Sequence, residues 1–576
     1  MSIVRVSIFS TYAFAYYTLC LQSMLDNHDI SDIISQYAKL YELHDGNPFK
    51  VKSLGAAAYN IKKIGEPLSD MSEEQLAAVP QLAKGLASKV YEIIKTGSFE
   101  ELNDLIKATP KGVLDILNVK GLGPKKVEVL WKEVGIVDIA GLLDACRENR
   151  LVEIKGFGLK TQAQIQKDIE FKFSNEGRFH WAKLQPLVKV INDTLSNDPG
   201  VKKFEVAGEF RRLNEVVDQL DFLVVSDNID SVLEYLQGFE ITKYKFENNA
   251  HYCKYAGVLN IVFTLCAEGE WGNKLLALSA DEAHLKNIGF NALVDTFDSE
   301  QKVYEALGHP YIMPELREGR GELERAGLQN SLIQYNDLKG IIHNHTTYSD
   351  GLHTLKEMAD YAKKLGFEYL AICDHSQTAG YANGLKPDRV LEQMKEIDLL
   401  NSGMSPFKIF KGIESDILGD GSLDYTTDIL RMFDVIVASV HSNLNMDMEK
   451  AHLRLKGAIE NQYTRILGHP TGRLLLMREG YPIHHEYIID CCAANKVVIE
   501  LNAHPYRLDI DWRWLDYALN KGVLISINPD AHQKEGYHDM QYGINVARKG
   551  WLTPEHCLNA KSLQAFQDWI ENGKSL

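Results

Sequence analysis

Short runs of β-forming apolar residues alternate with amphipathic stretches through the part of the chain that follows Lys339. One amphipathic stretch has Leu355, Met358, Ala362 and Leu365 spaced three or four positions apart, as on one face of a helix. The β-rich runs cover residues 340–343, 369–373, 409–413, 435–440, 465–467, 497–501 and 523–527. This alternation predicts a parallel β/α barrel with seven strands, one fewer than is usual.

Residue types that bind metals follow each of these runs. His343 ends the first run and His345 comes two positions later. The other runs lead into D-H-S, G-I-E, V-H-S, G-H-P, E-L-N-A-H and D-A-H. The carboxyl ends of barrel strands carry the chemistry in this fold. His343 and His345 lie two positions apart on an extended chain and so point to the same face, and Asp530 and His532 repeat that spacing. A single histidine is usually structural, but an ordered set predicts a metal centre.

The motifs H-x-H-T-x-x-S-D-G, D-H-S, G-I-E, V-H-S, G-H-P and D-A-H resemble those of the polymerase-and-histidinol-phosphatase (PHP) family of metallophosphoesterases, over residues 338–576. The resemblance implies a distorted barrel with nine ligands for three divalent ions. One ion would be held by His343, His345, Glu414 and Asp530, a second by His441, His469 and Glu414, and a third by Asp350, His375 and His532. His504 stands where the family often carries Asn and is an additional unassigned donor.

Clustered divalent ions suit phosphate-ester hydrolysis, because they lower the pKa of a bound water and neutralise charge on the phosphoryl oxygens. No serine or cysteine nucleophile is then required. Mixed imidazole and carboxylate ligands favour Zn²⁺ or Mn²⁺ over Ca²⁺ without choosing between the first two. Asp350, Arg473 and Arg507 are candidate catalytic residues, and each arginine is interpreted either as a bidentate phosphate contact or as a surface salt bridge.

Two glycine-containing segments, V-K-G-L-G-P-K-K and I-K-G-F-G-L-K, occur at residues 119–126 and 154–160. A tight glycine turn between two helices would aim free backbone N–H groups at a phosphate. The segments resemble helix-hairpin-helix elements, which hold the DNA backbone without reading bases. The candidate DNA-binding residues are Gly121, Gly123, Lys125, Lys126, Gly156, Gly158 and Lys160. Residues 47–61 resemble the start of the small amino-terminal DNA-binding domain of family X DNA polymerases.

Residues 179–291 resemble the nucleotidyltransferase palm of the same polymerase family, with its carboxylates depleted. Gln219 and Asn260 replace the first and third carboxylates, so only Asp221 remains of the three. Glu209 adds negative charge where a triphosphate should bind. Two Mg²⁺ ions need several anionic oxygens, so we expect no Mg²⁺ at the palm, no polymerase activity and a scaffold role. The degenerate polymerase site comprises Arg211, Arg212, Gln219, Asp221 and Asn260.

Composition narrows the class of protein and its compartment. The chain has 576 residues, 45% of them hydrophobic and 24% charged, which predicts a multidomain globular protein and excludes fibrous and disordered classes. The net charge of −17 repels phosphate backbones at long range, so binding to DNA must come from local donors. The eight cysteines include no C-x-x-C and favour a reducing compartment, which we interpret as the cytoplasm.

The fold class that follows is multidomain α+β and α/β. Residues 1–22 have a weak signal-peptide outline and are interpreted as a disordered or wrongly included extension. The predicted domains are a helical DNA-binding domain at 23–95, a helix-hairpin-helix region at 96–178, the degenerate palm and thumb at 179–300, a linker at 301–337 and the PHP barrel at 338–576. We expect a monomer that does not contact membranes.

Four functions are weighed. The first is a metal-dependent DNA phosphodiesterase, for which the resemblance implies 3′–5′ exonuclease action on gapped or 3′-ended repair intermediates and leaves cleavage at abasic sites open. The second is a repair polymerase that tolerates the altered carboxylates. The third is a small-molecule phosphatase like the histidinol-phosphate enzymes. The fourth is a non-catalytic DNA-binding scaffold, which the complete set of ligands argues against.

Overall fold

The computed structural model describes residues 25–64, 66–80, 82, 85–119 and 121–572. The chain forms two compact units that divide between Glu176 and Gly177. Residues 1–22, interpreted above as an extension, lie outside the described residues. No helix in the described part of the chain combines the length and the apolar character that a membrane crossing requires.

The first unit is helical, and capping side chains define where its helices begin. Asp26 accepts a hydrogen bond from the backbone N–H of Asp29, and Asn47 caps the next helix, which starts with Pro48. One apolar core runs along the unit. Its helices are α1 (Asn27–Leu43), α2 (Pro48–Ile61), α3 (Glu73–Ala78), α4 (Ala87–Thr96), α5 (Glu100–Ala108), α6 (Lys111–Leu117), α7 (Pro124–Glu128), α8 (Ile139–Arg147) and α9 (Leu159–Ser174).

The second unit begins with the segment that the sequence predicts to be the palm, and the name palm is kept for it below. Its elements are β1 (Phe179–His180), α10 (Trp181–Asn197), β2 (Lys203–Ala207), α11 (Gly208–Arg211), β3 (Val216–Val217), β4 (Gln219–Val225), α12 (Asp230–Leu236), β5 (Ile241–Glu247), β6 (Ala250–Tyr255) and β7 (Leu259–Leu265). Five of the strands form a sheet in the order β2-β4-β7-β6-β5, in which β4 and β7 are parallel and the other neighbours antiparallel. Phe222 and Phe263 stack in the core on one face of this sheet.

The segment between palm and barrel packs around its own small apolar core. It contains α13 (Trp271–Leu278), α14 (Glu282–Asn287) and α15 (Glu300–Ala306). Leu276 and Tyr304 of this segment belong to the same apolar cluster as Trp551 from the barrel. Arg317 is fully buried there, where it donates hydrogen bonds to the carbonyl of Ile312 and to a carboxylate. This segment therefore packs against the barrel.

The predicted seven-stranded parallel barrel is confirmed. Its elements are β8 (Gly340–Ile341), α16 (Leu355–Lys364), β9 (Tyr369–Ile372), α17 (Pro387–Met404), β10 (Lys408–Asp416), α18 (Thr427–Leu430), β11 (Val435–Ser439), α19 (Met448–Glu460), β12 (Ile466–Leu467), α20 (His485–Asn495), β13 (Val498–Asn502), α21 (Leu515–Asn520), β14 (Ile525–Asn528), α22 (Met540–Lys549) and α23 (Leu563–Glu571). The strands run in sequence order from β8 to β14, and a parallel bridge from Asn344 to Ala531 brings the two ends of the sheet together.

The barrel strands are apolar on both faces, as expected for a parallel sheet covered by helices. Along β9, Leu370 and Ile372 pack with the helix layer, whereas Tyr369 and Ala371 belong to a second, inner cluster. At the start of β9, the ring of Tyr369 stacks on Phe566 of α23, with a centroid distance of 4.3 Å. The amino-terminal end of the strands is thus filled with apolar side chains, which leaves the opposite end for chemistry.

Candidate metal centre

The nine side chains predicted as ligands lie at or just beyond the carboxyl ends of the barrel strands. His343, His345 and Asp350 follow β8, His375 follows β9, Glu414 lies in β10, His441 follows β11, His469 follows β12, and Asp530 and His532 follow β14. Three of them have left-handed backbone conformations: φ is 58° at His343, 21° at His469 and 51° at Asp530. Such conformations are costly for residues other than glycine and are commonly retained at functional sites.

Glu414 lies at the centre of this cluster and is buried. Its Oε1 is 3.2 Å from Nε2 of His343 and 3.0 Å from Nε2 of both His441 and His469. Its Oε2 is 2.9 Å from Nδ1 of His375. Burial alone would raise the pKa of this carboxyl group, but the surrounding imidazoles hold that pKa well below its usual range. One carboxylate therefore reaches four imidazoles.

A second group of side chains surrounds Asp350 and Asp530. Nε2 of His345 is 3.1 Å from Oδ1 of Asp530, and Nε2 of His532 is 3.4 Å from Oδ1 of Asp350. The ring of His345 stacks on those of His375 and His532, with centroid distances of 4.4 and 4.2 Å. Burial and these two neighbours lower the pKa of His345 to about 3. The imidazole of His345 therefore stays neutral, which is the form that binds metals.

The ligand atoms approach to within 4.8 Å of one another in three overlapping sets, each of which could hold a cation. The sets are His343, His345 and Asp530; His345, Asp350, His375 and His532; and His375, Glu414 and His441. His469 lies outside them but contacts Glu414. The PHP resemblance implies a different division, in which Glu414 joins His343 and His345. The assignment of each ligand to a particular ion stays a prediction.

The chemistry of the cluster fits divalent metal ions. Among the described residues, five buried atoms here make no hydrogen bond, although three of them lie within 3.2 Å of another of the ligand atoms without the alignment that a hydrogen bond needs: Nε2 of His343, Nδ1 of His345, Nδ1 of His375, Oε2 of Glu414 and Nδ1 of His469. Buried polar atoms without partners are costly, and metal coordination accounts for them. Burial would lower the pKa of His441 and His532, but nearby carboxylates raise these to about 10 and about 9. The cluster is therefore strongly attractive to cations.

Two carboxylates that were not predicted as site residues fix the orientation of ligand rings. Oε2 of Glu500 lies 2.6 Å from Nδ1 of His343, and Oδ1 of Asp416 is hydrogen-bonded to Nδ1 of His441. Carboxylates in this position set the tautomer and the direction of a metal-binding imidazole. The sequence held a signal for each, because Glu500 ends a β-rich run and Asp416 lies two positions beyond Glu414, on the same face of the strand.

The structure separates the two candidate phosphate-binding arginines. Nε of Arg507 lies 3.7 Å from Oδ2 of Asp530, and the Arg507 side chain is partly exposed at the edge of the cluster. The three guanidinium nitrogens of Arg473 are occupied elsewhere, by the carbonyls of Arg507 and Leu508 and the carboxylate of Asp511. Arg507 thus lies at the edge of the cluster, whereas Arg473 supports the loop that carries Arg507.

Comparison with known proteins places these features in one family. A protein from Bacillus subtilis (strain 168) named DNA polymerase/3'-5' exonuclease PolX is 34% identical over 567 residues, which cover 94% of this chain and 99% of that protein. The chain belongs to the PolX family. The profile of the PHP domain matches residues 342–504, that of a helix-hairpin-helix domain matches 25–99, and that of a SAM-like helix-hairpin-helix tandem matches 113–170.

Shorter proteins match part of the chain. A protein named “Probable phosphatase” from Thermoanaerobacter sp. (strain X514) is 25% identical over 229 residues, which cover 38% of this chain and 88% of that protein. Another of that description, from Syntrophotalea carbinolica (strain DSM 2380 / NBRC 103641 / GraBd1), is 24% identical over 239 residues, 40% of this chain and 94% of that protein.

In the palm of this PolX family member, the two altered positions lie close to the one carboxylate that remains. Gln219 and Asn260 are in register on the parallel strands β4 and β7. Nε2 of Gln219 donates a hydrogen bond of 2.7 Å to Oδ1 of Asp221. Gly208, at φ 65°, packs directly against the same carboxylate, and any side chain there would collide with it. Burial raises the pKa of Asp221 to about 6. The remaining carboxylate therefore has a neutral hydrogen-bond donor beside it, and Glu209 and Arg212 are near enough to influence its pKa.

The two arginines of the degenerate palm site are engaged in internal ion pairs. Both terminal nitrogens of Arg211 donate to the carboxylate of Glu300, at 2.9 Å each. Nε of Arg212 donates to Oε1 of Glu318 at 3.2 Å, and Lys549 of the barrel donates to that same oxygen at 2.6 Å. Nε of Arg211 also donates to Glu205, so both arginines are paired with carboxylates of the protein.

The two glycine hairpins of the first unit have matching geometry. Gly121 and Gly156 have φ angles of 79° and 96°, and Gly123 and Gly158 immediately precede α7 and α9. Within the described part of the chain, a side chain at any of these four positions would meet open space. The first N–H groups of each helix are therefore accessible to a phosphate. Lys125, Lys126 and Lys160 lie on the first turn of the helix that follows each hairpin. These domains indicate that the chain binds DNA.

Proposed function

We propose that this PolX family member is a metal-dependent DNA phosphodiesterase that removes nucleotides from 3′ ends at the mouth of its PHP barrel. The observation that carries the proposal is the convergence there of nine ligand-type side chains, with buried nitrogens and oxygens that have no hydrogen-bond partner in the described residues. The name of the Bacillus subtilis relative, which includes 3'-5' exonuclease, supports the same activity. Incision at abasic sites is a further activity that this site could support.

The residues of the barrel would hold up to three divalent ions, and we propose Zn²⁺ or Mn²⁺ from the mixture of imidazole and carboxylate ligands. Bound metal ions supply a water of lowered pKa and neutralise charge on the phosphoryl oxygens. Glu500 and Asp416 keep His343 and His441 in the orientation that binds a metal. Arg507, beside Asp530, offers a guanidinium to a phosphoryl oxygen of the substrate. We assign no phosphate contact to Arg473, since its donors are occupied.

The palm is proposed to act as a scaffold. Its single remaining carboxylate, Asp221, is hydrogen-bonded to Gln219, and Arg212 is paired with Glu318. Two metal ions and a triphosphate would need both the missing charges and free arginines. The helix-hairpin-helix domains hold the DNA backbone, which gives the nuclease affinity without preference for sequence.

Digestion of a labelled primer tests this function. With Mn²⁺, a primer labelled at its 3′ end should lose its label in the first turnovers, whereas a 5′-labelled primer should shorten one nucleotide at a time. The His343→Ala, His345→Ala double variant should release no mononucleotide, and His538→Ala, a barrel histidine outside the cluster, should behave like the unaltered protein. Equal release by the unaltered protein and the double variant would reject the proposal.

A phosphate-monoester hydrolase is the second candidate, because the shorter relatives carry the name “Probable phosphatase”. The two functions differ in substrate and not in the metal centre. A kcat/KM on p-nitrophenyl phosphate that exceeds the value on single-stranded DNA, in the same Mn²⁺ buffer, would favour the monoester hydrolase. We expect the opposite order, since helix-hairpin-helix domains add affinity only for DNA.

A further inference from the structure

A cavity of about 250 Å³ lies between the linker and the barrel, away from the nine proposed metal ligands. The linker contributes Arg320 and Arg325, the loop after β13 contributes Trp512 and Arg513, and the end of α22 contributes Lys549 and Trp551. Small-molecule sites in proteins are typically concave and of a few hundred Å³, with a small number of placed polar groups. Nothing in the proposed nuclease chemistry uses these residues.

The wall of the cavity carries four cationic side chains and one carboxylate, Asp516. Three of the cations are held by carboxylates: Arg325 by Asp516 at 2.7 Å, Arg513 by Glu215 at 2.7 Å, and Lys549 by Glu318 at 2.6 Å. Arg320 differs from them. In the described part of the chain, no carboxylate lies within 4.0 Å of its guanidinium, which donates one hydrogen bond, to the carbonyl of Arg513 at 3.1 Å. The cavity therefore contains a guanidinium that lacks a counter-charge.

Two tryptophan rings lie beneath the guanidinium groups, of which those of Arg320 and Arg513 belong to exposed side chains at the mouth of the cavity. The guanidinium of Arg325 lies 4.4 Å from the ring centre of Trp551, and those of Arg513 and Arg320 lie 4.5 and 5.7 Å from that of Trp512. Both rings are buried beneath these cations, so neither offers a face to a nucleobase. The cavity is thus suited to recognise an oxyanion through fixed N–H donors and not a base through stacking.

We propose that this cavity is a second phosphate-binding site, in which Arg320 supplies the charge that binds a phosphate group. Planar guanidinium groups match the spacing of phosphate oxygens. The phosphate could come from a DNA strand or from a free nucleotide, and both present the same oxyanion. A DNA strand is favoured over a free nucleotide because one side chain links the cavity to the loop of Arg507, an argument that rests on the proposed nuclease function. Asp511 accepts hydrogen bonds from both Arg473, which supports the Arg507 loop, and Arg513 of the cavity.

The salt dependence of DNA binding tests this proposal in the full chain with Mn²⁺ present. The probe is a fluorescein-labelled 12-nucleotide single strand with phosphorothioate linkages at its 3′ end, titrated by anisotropy over a range of NaCl concentrations. Each phosphate contact to a single strand contributes about 0.7 to the slope of log K against log salt. Arg320→Gln should lower this slope by about that amount, and Arg320→Lys should keep it. Arg431→Gln, an exposed arginine elsewhere on the barrel, should leave it unchanged.

A second titration distinguishes the source of the phosphate. Sodium phosphate and dAMP are added separately while tryptophan fluorescence is recorded, because Trp512 and Trp551 line the cavity. A reduced slope in Arg320→Gln identifies the DNA strand as the ligand. An unchanged slope, with a fluorescence response to dAMP that Arg320→Gln loses and Arg431→Gln keeps, identifies a free nucleotide. If both measurements are the same in Arg320→Gln and the unaltered protein, the proposal is wrong.

Nuclease activity is measured on the same preparations. Because Arg320 lies outside the metal centre, loss of phosphate binding with mononucleotide release retained at saturating DNA supports the second site. An unaltered protein that releases no mononucleotide would refute the proposed function and leave the binding result standing.

Discussion

The barrel mouth and the palm both bring polar side chains together at the ends of parallel strands, yet their polar atoms differ in what they contact. In the barrel, Oε2 of Glu414 and Nε2 of His343 are buried without a hydrogen-bond partner in the described residues. In the palm, Asp221 accepts a hydrogen bond from Gln219, and Arg212 is paired with Glu318. The barrel site therefore has buried polar atoms that make no hydrogen bond, whereas these two side chains of the palm have partners within the protein.

We propose that this difference separates a site that holds metal ions from one that does not. The Asp221 carboxylate already accepts a hydrogen bond from a neighbouring amide, whereas the buried imidazole nitrogens of the barrel that lack a partner are costly until a cation enters. The comparison suggests a general test for degenerate active sites. Loss of catalytic residues is informative. Stronger evidence is a carboxylate of the protein that occupies an arginine otherwise available to a triphosphate, and we propose that Glu318 does this to Arg212.

The largest effect is expected at the centre of the barrel cluster. Glu414→Gln keeps the size of the side chain and removes the charge that faces four imidazoles. Mononucleotide release should fall by at least about a hundred-fold, because metal ions contribute several kcal/mol to such reactions and each 1.36 kcal/mol is a factor of ten. The rate is measured with Mn²⁺, together with the metal content of the protein.

Glu368→Gln is the matched control, since Glu368 accepts a hydrogen bond from the N–H of Leu563 at the amino-terminal end of the barrel. It should retain the full rate. A Glu414→Gln variant as active as Glu368→Gln would show that the barrel mouth is no different from the palm.

A smaller loss is expected from the carboxylate behind the cluster. Glu500→Gln removes the charged acceptor at Nδ1 of His343 without removing a proposed ligand. The rate should fall by about ten- to a hundred-fold, as is typical when the partner of a metal-binding imidazole is changed. Part of the activity should return as the Mn²⁺ concentration is raised. An unaltered rate with an unaltered requirement for Mn²⁺ would argue that Glu500 does not position His343.

The barrel was predictable from sequence because its strands are apolar on both faces and end in ligand-type residues. The run predicted at 369–373 corresponds to β9, Tyr369–Ile372, with Cys373 immediately beyond it. Such runs are local, and the polar residue that ends each one is adjacent in sequence. The positions of the nine ligand-type residues at one mouth follow directly from this topology.

The partners of those residues were not predictable, because they come from distant parts of the chain. Glu500 and His343 are 157 positions apart, and Arg212 and Glu318 are 106 apart. Arg473 and Arg507 look equivalent as sequence, since each is an arginine shortly after a H-P motif. Only the folded loop shows that the donors of Arg473 are occupied by carbonyls while Arg507 stays near Asp530.

Restoring the two missing carboxylates of the palm tests whether their loss alone accounts for the expected lack of polymerase activity. Gln219→Asp with Asn260→Asp would place three carboxylates on adjacent strands, but Arg212 would stay paired with Glu318. We expect no templated dNTP incorporation, and a loss of about 1 to 3 kcal/mol of unfolding free energy at pH 8 from repulsion between partly buried like charges. Incorporation is measured in the His343→Ala, His345→Ala background so that the proposed nuclease cannot remove the product. Detectable incorporation would show that the palm is still organised for synthesis.

The smallest effect concerns the last carboxylate of the palm and depends on pH. Burial raises the pKa of Asp221 from 3.8 to about 6, so the folded protein favours the protonated form. The stability from this preference is fully present below pH 3.8 and is lost as the pH rises through 6. Asp221→Asn should therefore stabilise the protein at pH 8, by about 1 to 2 kcal/mol or a few degrees in Tm, and have little effect near pH 4.

Asp218→Asn, which removes an exposed ion pair with Arg178, should give no such gain. Because the palm is proposed to hold no ion, Mg²⁺ should not raise the Tm of the unaltered protein more than that of Asp221→Asn. A Mg²⁺-dependent difference between them would place an ion at Asp221 and remove the contrast between palm and barrel.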